Sequence, residues 1–129
     1  MTKEVITVTQ DTPIYQAVEL MATNDITGIP VVDGELNLVG VLTEKDVLTL
    51  FWAHEDQKNE TVSSFMTQPA LHFDENDALA SVCECLRNYD LRRVPVTSKG
   101  KVVGIISRAD MIGYILRQWQ ANIIPAAGA

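Results

Sequence analysis

Two cysteines are the only thiols in the chain, and their spacing removes most of what thiols do. Cys83 and Cys85 fall inside a helix predicted over 78–89, where side chains at i and i+2 do not face each other. This argues against a disulfide or a two-thiolate metal site and favours small core-filling residues. No apolar run reaches the roughly 18 to 20 residues that cross a bilayer. No basic segment followed by an apolar one marks a secretion signal. The expected compartment is therefore the cytoplasm, with no direct membrane insertion. Positive charge is scarce: ten Lys and Arg against 17 Asp and Glu give a net charge of −7 and a pI near 4.6. A phosphate-backbone binder presents a clustered basic surface, so no nucleic-acid partner is expected. A small anion in a local basic pocket stays open. Histidine is limited to His54 and His72, neither in a cluster at ligand spacing, and no metal site is read. No nucleophile–base pair is legible, nor a phosphate-cradling Gly-x-Gly-x-x-Gly. The sequence therefore names no catalytic residue, and the chain is not read as an enzyme.

What is present is a repeat. Gly104-Ile-Ile-Ser107-Arg-Ala-Asp110 recurs as Gly40-Val-Leu-Thr43-Glu-Lys-Asp46. Sliding the sequence on itself by 65 places Met1-Thr2 on Met66-Thr67, Ile6 on Leu71, Ile29 on Val94 and Pro30-Val31 on Pro95-Val96. One residue is lost in the turn near Gly34 and Gly100, and a shift of 64 then carries Gly40 onto Gly104 and Asp46 onto Asp110. The 129 residues suffice for one compact domain or two very small ones sharing a core.

Each copy predicts the same elements. An extended piece (Val5 to Val8; Ala70 to Phe73) precedes a helix capped by Thr12 or Asp77, with Pro13 at the first helical position of copy one. Apolar residues then recur at helical spacing: Ile14, Ala17, Val18 and Met21, matched by Leu79, Val82, Cys83 and Leu86. A hairpin follows, with strands over 28–32 and 37–42 in copy one and over 93–97 and 101–106 in copy two. The last helices are expected from Glu44 to about Glu55 and from Arg108 to about Ala121. The boundaries are 1–57 for copy one, 58–64 for a linker, 65–121 for copy two and 122–129 for a tail that should fray. A unit of this size buries too little alone, so the copies should pack across a pseudo-twofold axis. The last helices carry a broad apolar stripe (Leu48, Phe51, Trp52; Ile112, Ile115, Trp119). It fits either a homodimer interface or a larger contact within one chain.

These residues resemble the cystathionine-β-synthase (CBS) domain family. The likeness rests on Met-Thr before the first strand, the apolar-Pro-Val strand, the glycine-bearing hairpin and Gly-x-x-Thr/Ser-x-x-Asp, each occurring twice in register over residues 1–121. The resemblance implies an α+β fold of two β-α-β-β-α repeats packed with pseudo-twofold symmetry, a Bateman-type module, usually doubled into a disc-like homodimer. It implies binding of adenosyl ligands such as AMP, ADP, ATP or S-adenosylmethionine, with no cofactor required, and regulation of an attached or partner protein. The competing reading is a ligand-free structural module that dimerises through its helices. The chain begins at the family's Met-Thr, which fits a stand-alone protein or a piece of a longer one.

The candidate site follows from both lines. A carboxylate can accept hydrogen bonds from both hydroxyls of a ribose, so Asp110 and Asp46 are the expected ribose ligands. Ser107 and Thr43, at helix starts beside free N–H groups, suit a phosphate or sugar oxygen. The plainer account of all four is helix capping. Arg92, Arg93 and Arg108 in copy two, and Lys45 in copy one, are the expected phosphate contacts. Copy one has Thr27, Gly28 and Glu44 where copy two has the three arginines, so the Asp110 cleft is expected to bind a phosphorylated adenosine more tightly. In the family, residues before Pro-Val often reach phosphates across the pair, which would instead assign Arg92 or Arg93 to the cleft of Asp46. The resemblance also makes Ile6 and Leu71 adenine-contact candidates.

Overall fold

The computed structural model describes residues 1–89 and 91–127. Its elements in order are β1 (Val8–Thr9), α1 (Ile14–Asn24), β2 (Gly28–Val32), β3 (Leu38–Thr43), α2 (Glu44–Leu48), β4 (Phe73–Asp74), α3 (Leu79–Asn88), β5 (Arg93–Ser98), β6 (Lys101–Ser107) and α4 (Arg108–Ala127). Strands β1-β2-β3 form one three-stranded sheet and β4-β5-β6 the other. In each, the short first strand is parallel to the middle one and the hairpin is antiparallel. Each repeat has its own core. Ile14, Ala17 and Met21 of α1 pack on Ile29, Val31 and Leu42; Val82, Cys85 and Leu86 of α3 pack on Val94, Val96 and Ile106. The alternating strand pattern and the helical spacing converge on those faces, which is why the β-α-β-β-α order was legible.

The copies are joined by backbone. Thr2 and Ile105 exchange N–H···O bonds of 2.9 Å in both directions, and Thr67 and Val41 do the same at 2.8 and 3.0 Å. Thr2 corresponds to Thr67 and Val41 to Ile105, so the two bridges are interconverted by exchanging the copies. Asn37 bridges Lys101, its own counterpart. A residue paired with its own repeat partner marks the pseudo-twofold axis. Each copy thus lends its Met-Thr lead-in to the other copy's sheet.

Several local expectations are corrected. The first strands are two residues long rather than four, because Val5, Ile6 and Leu71 line clefts between the copies instead of pairing. Thr12 and Asp77 do not cap the helices. They close the turns before them, Thr12 Oγ1 accepting from Thr9 N at 3.0 Å and Asp77 Oδ2 from Asp74 N at 2.8 Å. Pro13 is the cap itself, with a non-helical ψ of 137°, and the Ile14 N–H donates to the Glu60 carbonyl at 2.7 Å. α2 ends at Leu48 and tightens into a 3₁₀ turn over Thr49–Trp52, where the Thr49 hydroxyl takes the Asp46 carbonyl at 2.8 Å. Val62, in the stretch read as linker, is fully buried in the first core. α4 continues to Ala127, past the expected end near Ala121; Asp90 and residues 128–129 of the expected tail lie outside the described residues.

The glycines of the repeated motif make the exchange possible. A Cβ on Gly40 would sit 2.8 Å from the Thr67 carbonyl oxygen, and one on Gly104 would meet the Met1 side chain at 2.5–2.9 Å. Backbone cannot yield as a flexible thioether can. Gly40→Ala should therefore cost about 1–3 kcal/mol and Gly104→Ala under about 1 kcal/mol in urea denaturation, as overpacking costs scale with what can relax.

Candidate functional site

The Thr43–Asp46 element forms because β3 runs directly into α2. Thr43 takes an extended N-cap conformation (φ −104°, ψ 167°). Its hydroxyl oxygen accepts from Asp46 N at 3.3 Å, while Asp46 Oδ2 accepts from Thr43 N at 2.8 Å and from the Thr43 hydroxyl at 2.9 Å. This is a capping box with aspartate in the third position. Copy two repeats it: Ser107 N donates to Asp110 Oδ2 at 2.8 Å, and Asp110 N donates to Ser107 Oγ at 3.1 Å. The lead-in of the other copy faces each carboxylate. Thr67 Oγ1 lies 3.2 Å from both oxygens of Asp46, and the Met1 ammonium lies 3.9 Å from Asp110 Oδ1. One oxygen of each aspartate is thus committed to its helix, and the other looks toward the repeat boundary.

Two clefts open along that boundary. The first, about 280 Å³, joins Thr43, Glu44 and Lys45 of copy one to Leu71, Arg92 and Arg93 of copy two. The second, about 210 Å³, joins Ile6 and Glu4 of copy one to Ser107 and Asp110 of copy two, with Arg93 again on its wall. They are related by the repeat: Leu71 matches Ile6, and Thr43 matches Ser107. Each cleft therefore combines an apolar lead-in residue from one copy with a capping hydroxyl from the other.

The cations do not fall where their position in the chain suggested. Arg92 lines the first cleft only, Arg93 lines both, and Arg108 lines neither. Strand alternation is the reason. Val94 and Val96 point into the second core, so Arg93 and Pro95 occupy the opposite face of β5, which looks toward copy one. Arg108 is spent elsewhere: its Nε donates to the Leu86 carbonyl at 3.2 Å and its Nη2 to the Tyr89 carbonyl at 3.1 Å, closing the C-terminal end of α3. The first cleft carries Lys45, Arg92 and Arg93 against Glu44. The second carries Arg93 against Glu4 and Asp110. The cationic lining is thus heavier on the Thr43 side, where the across-the-pair alternative placed Arg92 or Arg93; the comparison of the two copies had favoured the Asp110 cleft. Asp46 reaches the first cleft through Thr43 rather than lining it. Tyr89 and Leu91, which wall the first cleft, were missed by sequence reasoning; their only signal was proximity to Arg92.

Among the described residues no group of three or more His, Cys, Asp and Glu could hold a metal ion, and no helix is long and apolar enough to cross a membrane.

Comparison with known proteins agrees with this architecture. The CBS domain family matches residues 1–53 and 62–117. The chain is 30% identical over 122 residues to the uncharacterized protein MJ1225 of Methanocaldococcus jannaschii, covering 95% of this chain and 43% of that protein. It is 35% identical over 109 residues to an inosine-5'-monophosphate dehydrogenase of Aquifex aeolicus, covering 83% of this chain and 22% of the enzyme. The chain therefore spans less than half the length of these curated relatives. The crystal structure of CBSX2 in complex with AMP superposes with a TM-score of 0.80 at 30% identity, covering 91% of this chain and 92% of that one. The CBS-pair protein CBSX2 from Arabidopsis thaliana gives a TM-score of 0.81 at 27% identity, with 93% of each chain covered. The chain belongs to the CBS domain family and is a tandem CBS pair.

Arg108→Met should lower stability by about 1 kcal/mol through the two lost bonds to α3, read as a lower thermal midpoint.

Proposed function

We propose that this CBS pair is a regulatory module that binds an adenosine phosphate in its first cleft, beside Thr43 and Asp46. The observation that carries the reading is the gathering of Lys45, Arg92 and Arg93 around one cavity in a chain of net charge −7. Guanidinium groups engage phosphate bidentately, and an ammonium adds a point charge. Asp46 accepts its firm bonds on Oδ2, which leaves lone pairs on Oδ1 for ribose hydroxyls in exchange for the 3.2 Å contact from Thr67. Leu71, Pro30 and Val41 supply apolar surface for a purine. The AMP complex of CBSX2, at 30% identity over nearly all of the chain, supports the ligand class. The role is regulatory rather than catalytic. A ligand spanning both copies shifts the equilibrium between their arrangements only if it binds one arrangement better, and that differential affinity is the signal passed to a partner or attached domain.

A specific observation also supports the dimerising role. Phe51 (84% exposed), Trp52 (78%), Ile112 (68%) and Trp119 (63%) remain open to solvent. Side chains this large left exposed at the end of each repeat are candidates for an association surface. We assign it to a homodimer, with the nucleotide clefts left accessible. Trp52→Ser with Trp119→Ser should move the protein toward monomer in sedimentation velocity; an unchanged sedimentation coefficient rejects the assignment.

The ligand reading is tested by thermal shift with AMP, ATP, S-adenosylmethionine and NAD. A ligand at a hundred times its Kd stabilises by about 2.7 kcal/mol, so AMP should raise the midpoint by several degrees. Arg92→Ala should weaken AMP about tenfold or more, the weight of one charge-assisted bond, and leave adenosine unaffected. No shift with any of the four at millimolar concentration would favour the ligand-free structural module.

A further inference from the structure

The start of β2 and the start of β5 lie at the repeat boundary, and Gly28 and Arg93 each line both clefts. They are counterparts in the repeat. A symmetric pair would offer one side chain to each cleft, but this chain offers one guanidinium and one glycine. The Arg93 Nε is buried and has no hydrogen-bond partner. A buried N–H without an acceptor is costly, and an anionic oxygen in either cleft would relieve that cost.

Resting on the nucleotide reading above, we propose that Arg93 is a phosphate-binding residue shared by the two clefts, so that filling one with an adenosine phosphate takes the guanidinium away from the other. A guanidinium is a rigid planar fork, so the edge that meets a phosphate bidentately in one cleft is not offered to the other. The first cleft also holds Lys45 and Arg92, so a phosphate there engages Arg93 first. Among the described residues lining the second cleft, Arg93 is the one Lys or Arg, and Glu4 and Asp110 face the same space. With Arg93 turned away, the lining of the second cleft offers a phosphate carboxylates and no Lys or Arg, and the Met1 ammonium nearby is already held at 3.9 Å by Asp110. The coupling is reciprocal by linkage, and it acts on phosphorylated ligands alone. Gly28 is what makes the sharing necessary rather than optional. A Cβ added there would meet nothing closer than the Leu42 carbonyl oxygen at 3.7 Å, so the backbone tolerates a side chain and a cation can be tried at this position.

The test is calorimetric titration of the full chain with AMP and, separately, with adenosine, comparing the native protein with Arg93→Gln and Gly28→Arg. Sharing predicts that Arg93→Gln weakens the tight AMP step about tenfold or more and leaves the weak step unchanged, because the weak step never had the guanidinium. Gly28→Arg strengthens the weak step by a similar factor, or brings it into range where the native protein shows one step. Adenosine binding is unchanged in both variants. If Arg93→Gln fails to fold, Gly28→Arg decides alone. The proposal is overturned if Arg93→Gln weakens both AMP steps equally or only the weak one, or if Gly28→Arg leaves the weak step where it was. Those results leave the nucleotide reading standing, whereas an absence of AMP binding to the native protein at millimolar concentration ends both.

Discussion

The carbonyl oxygen of Thr67 lies 2.8 Å from where a Cβ on Gly40 would sit, and the rest of the molecule depends on that approach. It allows the lead-in of copy two to pair with β3 of copy one, as Thr2 pairs with β6 in return. The exchange does more than join two small cores. It brings Leu71 beside Thr43 and Ile6 beside Ser107, so each cleft takes an apolar wall from one copy and a capping hydroxyl from the other. Neither repeat could form such a cleft alone.

Electrostatics then separates two clefts that the fold makes alike. The chain is acidic overall, but charges beyond a Debye length, about 8 Å at physiological ionic strength, are largely screened. A ligand in the first cleft responds to Lys45, Arg92 and Arg93 rather than to the net charge of −7. The packing of Val94 and Val96 into the second core is what turns Arg93 toward copy one. A core contact thereby sets the potential of a surface cleft.

Much of this was legible in the residues. The Thr43 and Ser107 caps, the hairpins and the helix positions follow from local chemistry, and the repeat itself required only self-comparison. The short first strands, the turn-closing roles of Thr12 and Asp77 and the early end of α2 were not legible, because each is decided by a partner far along the chain. Ile14 is served by the Glu60 carbonyl, and Val5 and Ile6 face a cleft that exists only after the copies meet. The destination of the arginines was half legible. Grouping Arg92, Arg93 and Arg108 by closeness in sequence favoured the Asp110 side, while the family resemblance offered Arg92 or Arg93 to the cleft of Asp46. Alternation along 93–96, with Val94 and Val96 inward, already implied that Arg93 points across the boundary. Arg108 was hidden because its partners, the Leu86 and Tyr89 carbonyls, belong to another helix end.

We propose the cleft between Thr43 and Arg92 as the place of phosphate recognition. A crystal structure of the protein grown with AMP addresses it most directly. The prediction is AMP in that cleft, its phosphate on Arg92 and Arg93 and its ribose hydroxyls at Asp46. AMP bound only between Ser107 and Asp110, with the Thr43 cleft empty, would contradict it.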